Sequence, residues 1–155
     1  MQGIDSARVS DWLVANVDGA VAPFMFDLIA GGRSNLTYCV VGADGRRFVV
    51  RRPPLGHVLA TAHDMAREHR IITAVGRSSV PVPPALGLCT DDEVNGAPFY
   101  VMGFVDGVVL DSPERGAELP MPLRRVAGEH LVDVLADLHA VDIDAVGLGD
   151  LAKRE

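Results

Sequence analysis

Apolar residues recur along the chain with two different periods, and the switch between them divides it into short elements. Val9, Trp12, Leu13 and Val17 fall three or four residues apart, on one face of a helix that Asp5 or Ser6 can cap. Phe24 to Ala30 reads as a strand, Gly31-Gly32-Arg33-Ser34-Asn35 as a turn, and Leu36 to Val41 as a second strand. Asp44-Gly45 supplies a hairpin turn into a third strand, Arg47 to Arg51, which Pro53-Pro54 stops. A helix is expected from about Thr61 to Val75, with Met65, Ile72 and Val75 among its apolar positions. Pro81, Pro83 and Pro84 make a rigid connector into a second hairpin, Ala85 to Thr90 and Phe99 to Val105, joined through Asp91-Asp92-Glu93 and Asn95-Gly96. A polar linker holds Pro113, Pro120 and Pro122. Helical spacing then returns from Leu123 to about Val141, carried by Leu123, Val126, His130, Leu131, Val134, Leu135 and Leu138.

Three strands, a helix and two strands joined mainly by hairpins imply an α+β lobe with a five-stranded, mainly antiparallel sheet and one inserted helix. The strands follow one another too closely for parallel crossovers, which need about a dozen residues each. The 155 residues suit one domain, or one lobe, residues 1–105, plus the start of a second, residues 106–155. No apolar run approaches the ~18 residues of a membrane span. The first residues carry no basic segment leading into an apolar one, so the cytoplasm is the expected compartment. Cys39 and Cys89 sit in separate apolar segments and read as reduced core thiols.

Charge is unevenly spread. Residues 1–77 hold nine Arg against seven acids, or +2, and residues 78–155 hold five basic residues against fourteen acids, or −9. The acidic half argues against a nucleic-acid partner. The basic half tolerates a phosphate.

Four features can carry chemistry, and each has an ordinary structural alternative. The glycines of Gly31–Asn35 would let backbone amides approach a phosphate, or simply make a tight turn. Arg51, on the strand after that turn, is a cation suited to phosphate, or one of two solvated arginines before a Pro-Pro stop. It and Arg52 point to opposite faces, so only one can enter a site. Glu68 would hold Arg51 in an ion pair, or is a surface charge in Arg67-Glu68-His69-Arg70. Tyr100-Val101-Met102-Gly103-Phe104 would offer its backbone to a planar base, or is a core strand. Other chemistries lack their patterns. There is no G-x-x-x-x-G-K-[ST], H-E-x-x-H, G-x-S-x-G or C-x-x-C, and Asp133, Asp137, Asp142 and Asp144 read as a solvated acidic surface.

The order of these features, with Gly-Gly-Arg-Ser-Asn-Leu-Thr-Tyr, Val-Val-Arg-Arg-Pro-Pro, Arg-Glu-His-Arg-Ile-Ile and Tyr-Val-Met-Gly-Phe-Val-Asp-Gly, resembles the aminoglycoside phosphotransferase and choline kinase-like family. The branch it resembles is the one associated with acyl-CoA dehydrogenases, and the resemblance runs from about residue 20 onward. It implies a protein-kinase-like N-lobe, a hinge and the first helix of a C-lobe. It also implies ATP as the nucleotide, held by Gly31, Gly32, Arg33, Ser34 and Asn35 over the phosphates. Arg51 would stand in the usual lysine's place, Glu68 would be its partner, and the backbone of Met102, Gly103 and Phe104 would meet the adenine. The family often has an acid where Gly103 stands.

The resemblance places the catalytic Asp and a magnesium-binding Asn in an H-G-D-x-x-x-x-N loop, which these 155 residues do not contain. The expectation is therefore a truncated phosphotransferase, with Mg²⁺ and a small-molecule hydroxyl substrate belonging to the complete parent. A non-catalytic nucleotide-binding, dimerisation or complementation module is the alternative, and an α+β domain without a ligand is a third reading. The last helix, lacking C-lobe neighbours, is expected to expose its apolar stripe and favour self-association.

Overall fold

The computed structural model describes residues 2–30, 35–56 and 63–151. They form α1 (Ser6–Asn16), β1 (Met25–Ala30), β2 (Leu36–Val41), β3 (Arg47–Arg52), α2 (Met65–Val75), β4 (Ala85–Cys89), α3 (Asp92–Asn95), β5 (Phe99–Gly103), α4 (Pro113–Glu118) and α5 (Met121–Ala140). The chain divides into two compact units, one of Met1–Thr73 with Pro83–Phe104, the other of Ala74–Val82 with Val105–Glu155.

The first unit is built on a five-stranded sheet in the order β1-β2-β3-β5-β4, with every neighbouring pair antiparallel. Its central hairpin follows from the turn at residues 42–46. Gly45 takes a φ of +81°, a left-handed value that glycine adopts without a Cβ clash, and its N–H donates to the Gly42 carbonyl at 2.9 Å. Asp44 caps the same turn by accepting from the Arg46 N–H at 3.0 Å.

The pleat of the strands sends alternate residues to one covered face. Phe26, Tyr38, Val40, Phe48, Val50, Phe99 and Val101 are all buried there with Val9, Leu13 and Val17 of the α1 segment. The α1 helix starts where Asp5 accepts from the Arg8 N–H. Trp12 adds an edge-on contact to Phe99, with ring centroids 5.0 Å apart.

Arg52 ends β3 on this same covered face. It is buried, and its guanidinium donates to the carbonyls of Gly3, Pro53 and Asn95. Burial lowers its pKa, opposed in part by Tyr38. The Tyr38 hydroxyl donates to the Gln2 carbonyl, and the Asp5 N–H donates to Asn95 Oδ1 at 2.8 Å. A charged side chain thus sits inside an apolar layer because it satisfies backbone acceptors from three places in the chain. The Asn95 Nδ2 beside it is buried without a partner among the described residues.

Three boundaries differ from the sequence reading. Asp91 to Gly96 is not a plain turn but holds α3, with Asp91 accepting from the Glu93 N–H at the start and Gly96 in the left-handed region at the end. The presumed linker contains α4, capped by Ser112. Pro120 and Pro122 start α5 rather than precede it, since a proline in the first helical turn loses no hydrogen bond. Smaller differences fall at strand ends, where Phe24, Arg52, Thr90, Phe104 and Val105 change sides of a boundary.

The second unit has a small core of Ala74, Val75, Val80 and Leu148, against which Val82, Val134, Val141 and Val146 pack. The α5 helix has no buried side chain over its 20 residues, and Leu131 is 70% exposed. Among the described residues no helix is long and apolar enough to cross a membrane.

Replacing Arg52 leaves three carbonyls without this donor. Arg52→Ala should cost about 2–4 kcal/mol in urea unfolding followed by Trp12 fluorescence. Arg125→Ala, which breaks an exposed ion pair to Glu129, should cost under about 1 kcal/mol. Equal small losses would contradict the role given to Arg52.

Candidate functional site

The face of the sheet opposite the core carries the alternate residues: Asp27, Thr37, Cys39, Val49, Arg51, Tyr100 and Met102. It is open toward the β1 edge, where Met25 is 65% exposed, half-open at Cys39 and Met102, and covered at Thr37, Val49 and Tyr100, which are buried. Burial raises the Cys39 thiol above its ordinary value, with Arg47 lowering it and Asp27 raising it to lesser degrees.

Helix α2 meets this face at one end. It begins at Met65, where Asp64 caps it by accepting from the Arg67 N–H at 2.9 Å, and the start expected at about Thr61 falls outside the described residues. Residues 57–62 lie outside the described part. From this start, Met65 is buried, and Glu68 and His69 come to the sheet one turn later.

Glu68 is the hub. Its Oε2 accepts from Arg51 Nε at 3.0 Å and from the Tyr100 hydroxyl at 3.2 Å, and its Oε1 accepts from Asn35 Nδ2 at 2.8 Å. Arg51 Nη1 donates to Thr37 Oγ1 at 3.2 Å, and His63 Nδ1 donates to Asn35 Oδ1 at 2.6 Å. The side chains of Arg51 and Glu68 are 31% and 29% exposed, so the pair is sheltered yet reachable from solvent. Two bonds use two of the five guanidinium donors, which leaves the fork able to take an anion.

The site residues read from the sequence fall into three groups. Asn35, Arg51 and Glu68 are brought together, as above. Gly31, Gly32, Arg33 and Ser34 lie outside the described residues. Met102, Gly103 and Phe104 lie at the far end of β5. Met102 faces Val49 in register, two residues along from the Arg51–Tyr100 pair, hence about 7 Å away on the same face. The Gly103 N–H donates to the Pro84 carbonyl at 2.9 Å, and a Cβ at Gly103 would stand 2.7 Å from Pro84 Cγ. Glycine here is a packing requirement: an acid in its place would have to displace Pro84. Phe104 lies under the Arg47 guanidinium at 4.3 Å.

Sequence reasoning missed the side-chain bonds of Thr37, Tyr100 and His63. Thr37 was recoverable, because a hairpin centred on Asp44 pairs residues whose numbers sum to 88, and Thr37 therefore opposes Arg51. Tyr100 had no such signal, since the pairing of β3 with β5 is not set by a hairpin between them. His63 reaches Asn35 through tertiary structure alone.

The arrangement offers a held cation for a phosphate and, one step along the sheet, the half-exposed Met102, seated beside the buried Val49, as an apolar contact for a planar base. A divalent cation finds less. Among the described residues no three His, Cys, Asp or Glu side chains gather as a metal site.

Two groups beside Glu68 have shifted proton affinities. Tyr100 is pushed up from 10.0 to about 12, first by burial and then by the Glu68 charge, with Arg51 opposing. Burial alone pushes His69 down. A phenol with a raised native pKa stabilises the fold fully below pH 10.0 and loses that contribution as the pH climbs toward about 12. Stability of the wild type should therefore fall across that window, and Tyr100→Phe should flatten the fall. An unchanged slope in the variant, measured by urea unfolding at several pH values, would contradict the assignment.

With this geometry in hand, the similarities to known proteins fall into place. Residues 26–155 match the phosphotransferase enzyme family. The chain is 39% identical over 125 residues to acyl-CoA dehydrogenase family member 10 of Mus musculus and 36% identical over 121 residues to acyl-CoA dehydrogenase family member 11 of Gallus gallus. These stretches cover 79% and 77% of the chain but only 11% and 15% of those proteins. A crystal structure from Ralstonia eutropha JMP134, described as a "putative aminoglycoside phosphotransferase", superposes with a TM-score of 0.76 at 31% identity. That match covers 97% of this chain and 42% of the other. The five-stranded antiparallel sheet with its helices is the kinase-like fold of that relative, and the chain belongs to the phosphotransferase enzyme family.

Proposed function

We propose that this chain is the ATP-binding part of a small-molecule phosphotransferase, which in its complete form moves the γ-phosphoryl group of ATP to a substrate hydroxyl. The observation that carries the reading is the Arg51–Glu68 pair, held at 3.0 Å on the face of the sheet opposite the core and about one-third exposed to solvent. A cation fixed by a carboxylate can meet the α- and β-phosphates without losing its own orientation. The turn at Gly31–Asn35 would cover the phosphates, and the Met102–Phe104 backbone would meet the adenine. The Gly103 amide is already given to Pro84, so base recognition falls to the other backbone groups of that stretch.

In this reading residues 1–105 are the nucleotide-holding lobe and residues 106–155 begin the substrate-side lobe. Phosphoryl transfer needs a residue to orient the hydroxyl and carboxylates or amides to hold Mg²⁺, and the 155 residues contain no H-G-D-x-x-x-x-N to supply them. Thr37, Asn35 and Glu68 position a cation. They do not replace that loop.

A second reading rests on α5, where Leu123, Leu131, Leu135 and Leu138 are each more than 40% exposed. Such a stripe favours self-association. Sedimentation should show the wild type associating with concentration and Leu131→Lys sedimenting as a monomer. A wild type that stays monomeric at every concentration would remove this reading.

For the main reading, the wild-type chain should bind ATP with a Kd of about 1 mM, worth roughly 4 kcal/mol, in an NMR shift titration. Arg51→Ala should weaken it at least about fivefold by removing a charge-assisted contact, and no ATP turnover should be seen. Equal affinity in Arg51→Ala, or sustained turnover by the 155-residue chain, would refute it.

A further inference from the structure

The neighbours of the Arg51–Glu68 pair carry an inference that rests on the ATP reading above and refines it. In register, Thr37, Arg51 and Tyr100 stand directly opposite one another on β2, β3 and β5, forming one rung across three adjacent strands. The rung lies on the face opposite the core, where Thr37 and Tyr100 are buried and the Arg51 side chain is about one-third exposed, and Glu68 descends onto it from α2. Thr37 accepts from Nη1 of Arg51 while Glu68 accepts from Nε. These are two different atoms of one rigid plane, so together they fix the rotation of the guanidinium as well as its place. A lysine ammonium is a single point with rotating donors, and no plane of it can be fixed this way.

The carboxylate is fixed just as fully. Both its oxygens are occupied, Oε2 by Arg51 and the Tyr100 hydroxyl, Oε1 by Asn35. The Tyr100 hydroxyl has no need of Glu68 for its ring to pack, since that ring is 2% exposed and meets His69 edge-on at 6.2 Å. Its hydroxyl contact is therefore separable from its packing.

We infer that Thr37 and Tyr100 are positioning residues of the nucleotide site: Thr37 sets the plane of the Arg51 fork, and Tyr100 holds Glu68, so that the fork meets phosphate oxygens in one orientation. The site is thus adapted to arginine, and lysine at position 51 does not serve in its place. Asn35 joins the same rigid group through Glu68, with His63 behind it.

The test is a set of ATP titrations of the 155-residue chain, read by NMR shifts, with thermal unfolding run beside each. Thr37→Val and Tyr100→Phe should each weaken ATP about threefold to tenfold, the range of one ordinary hydrogen bond that no longer orients the site. Thr37→Ser, which keeps the hydroxyl, should restore wild-type affinity. Arg51→Lys should bind no better than Arg51→Ala. The effects should also be conditional. Thr37→Val should change nothing further in an Arg51→Lys background, nor Tyr100→Phe in a Glu68→Gln background, whereas a general loss of packing would act in both backgrounds. Wild-type affinity in Thr37→Val and Tyr100→Phe, or in Arg51→Lys, would overturn the inference while Arg51→Ala still weakened binding and upheld the site. A wild-type chain that failed to bind ATP would overturn the functional reading and this inference together.

Discussion

The pleat of β3 is the constraint on which the rest depends. Its last two residues are both arginines, and a strand must send them to opposite sides. Arg52 goes to the covered face, where backbone carbonyls of the N-terminal segment and α3 surround it. Arg51 goes to the open face, where a side-chain carboxylate meets it. One arginine is spent on tying the chain together and the other is left where a ligand can reach. A shift of register by one residue would exchange them, placing the reachable charge in the core.

The same contrast separates stability from function in the polar groups. Arg52 is almost closed off, and its bonds among the described residues are to backbone, which fits a structural role. The Arg51–Glu68 pair is about one-third exposed and bonded through side chains, so solvent screening keeps its own contribution to folding small. What the surrounding bonds provide is orientation. A cation that must not reorganise when a polyanion arrives benefits from being held beforehand. Glu68, with donors from β3, β5 and the residue just before β2, makes that holding a property of the sheet and α2 together.

Much of this was legible in the sequence, for identifiable reasons. Helix α1 and the β2–β3 hairpin were bounded by strong local signals, a capping Asp5 and an Asp44-Gly45 turn. The pairing of Arg51 with Glu68 stayed open on the residues alone, because the helix pattern did not fix where Glu68 points, and the family resemblance is what favoured it. The start of α5 was misplaced because Pro120 and Pro122 were read as breakers, although proline in a first turn is a starter. Helix α3 was missed because four residues carry too little periodicity to register. Tyr100 escaped because its role depends on which strand lies beside β3, a fact set by the sheet order and not by any local pattern. The reason for Gly103 was equally hidden, since it is the approach of Pro84, nineteen positions earlier in the chain, that forbids a side chain there.

The central claim is that ATP binds on the open sheet face beside Arg51. A hydrogen-exchange map of the chain with and without saturating ATP tests it most directly. The account predicts slowed exchange in β2 and β3 near Thr37 and Arg51, in the first turns of α2 and at Met102 to Phe104, with α4 and α5 unchanged. Protection confined to α4 and α5, or none at all in the sheet, would contradict it.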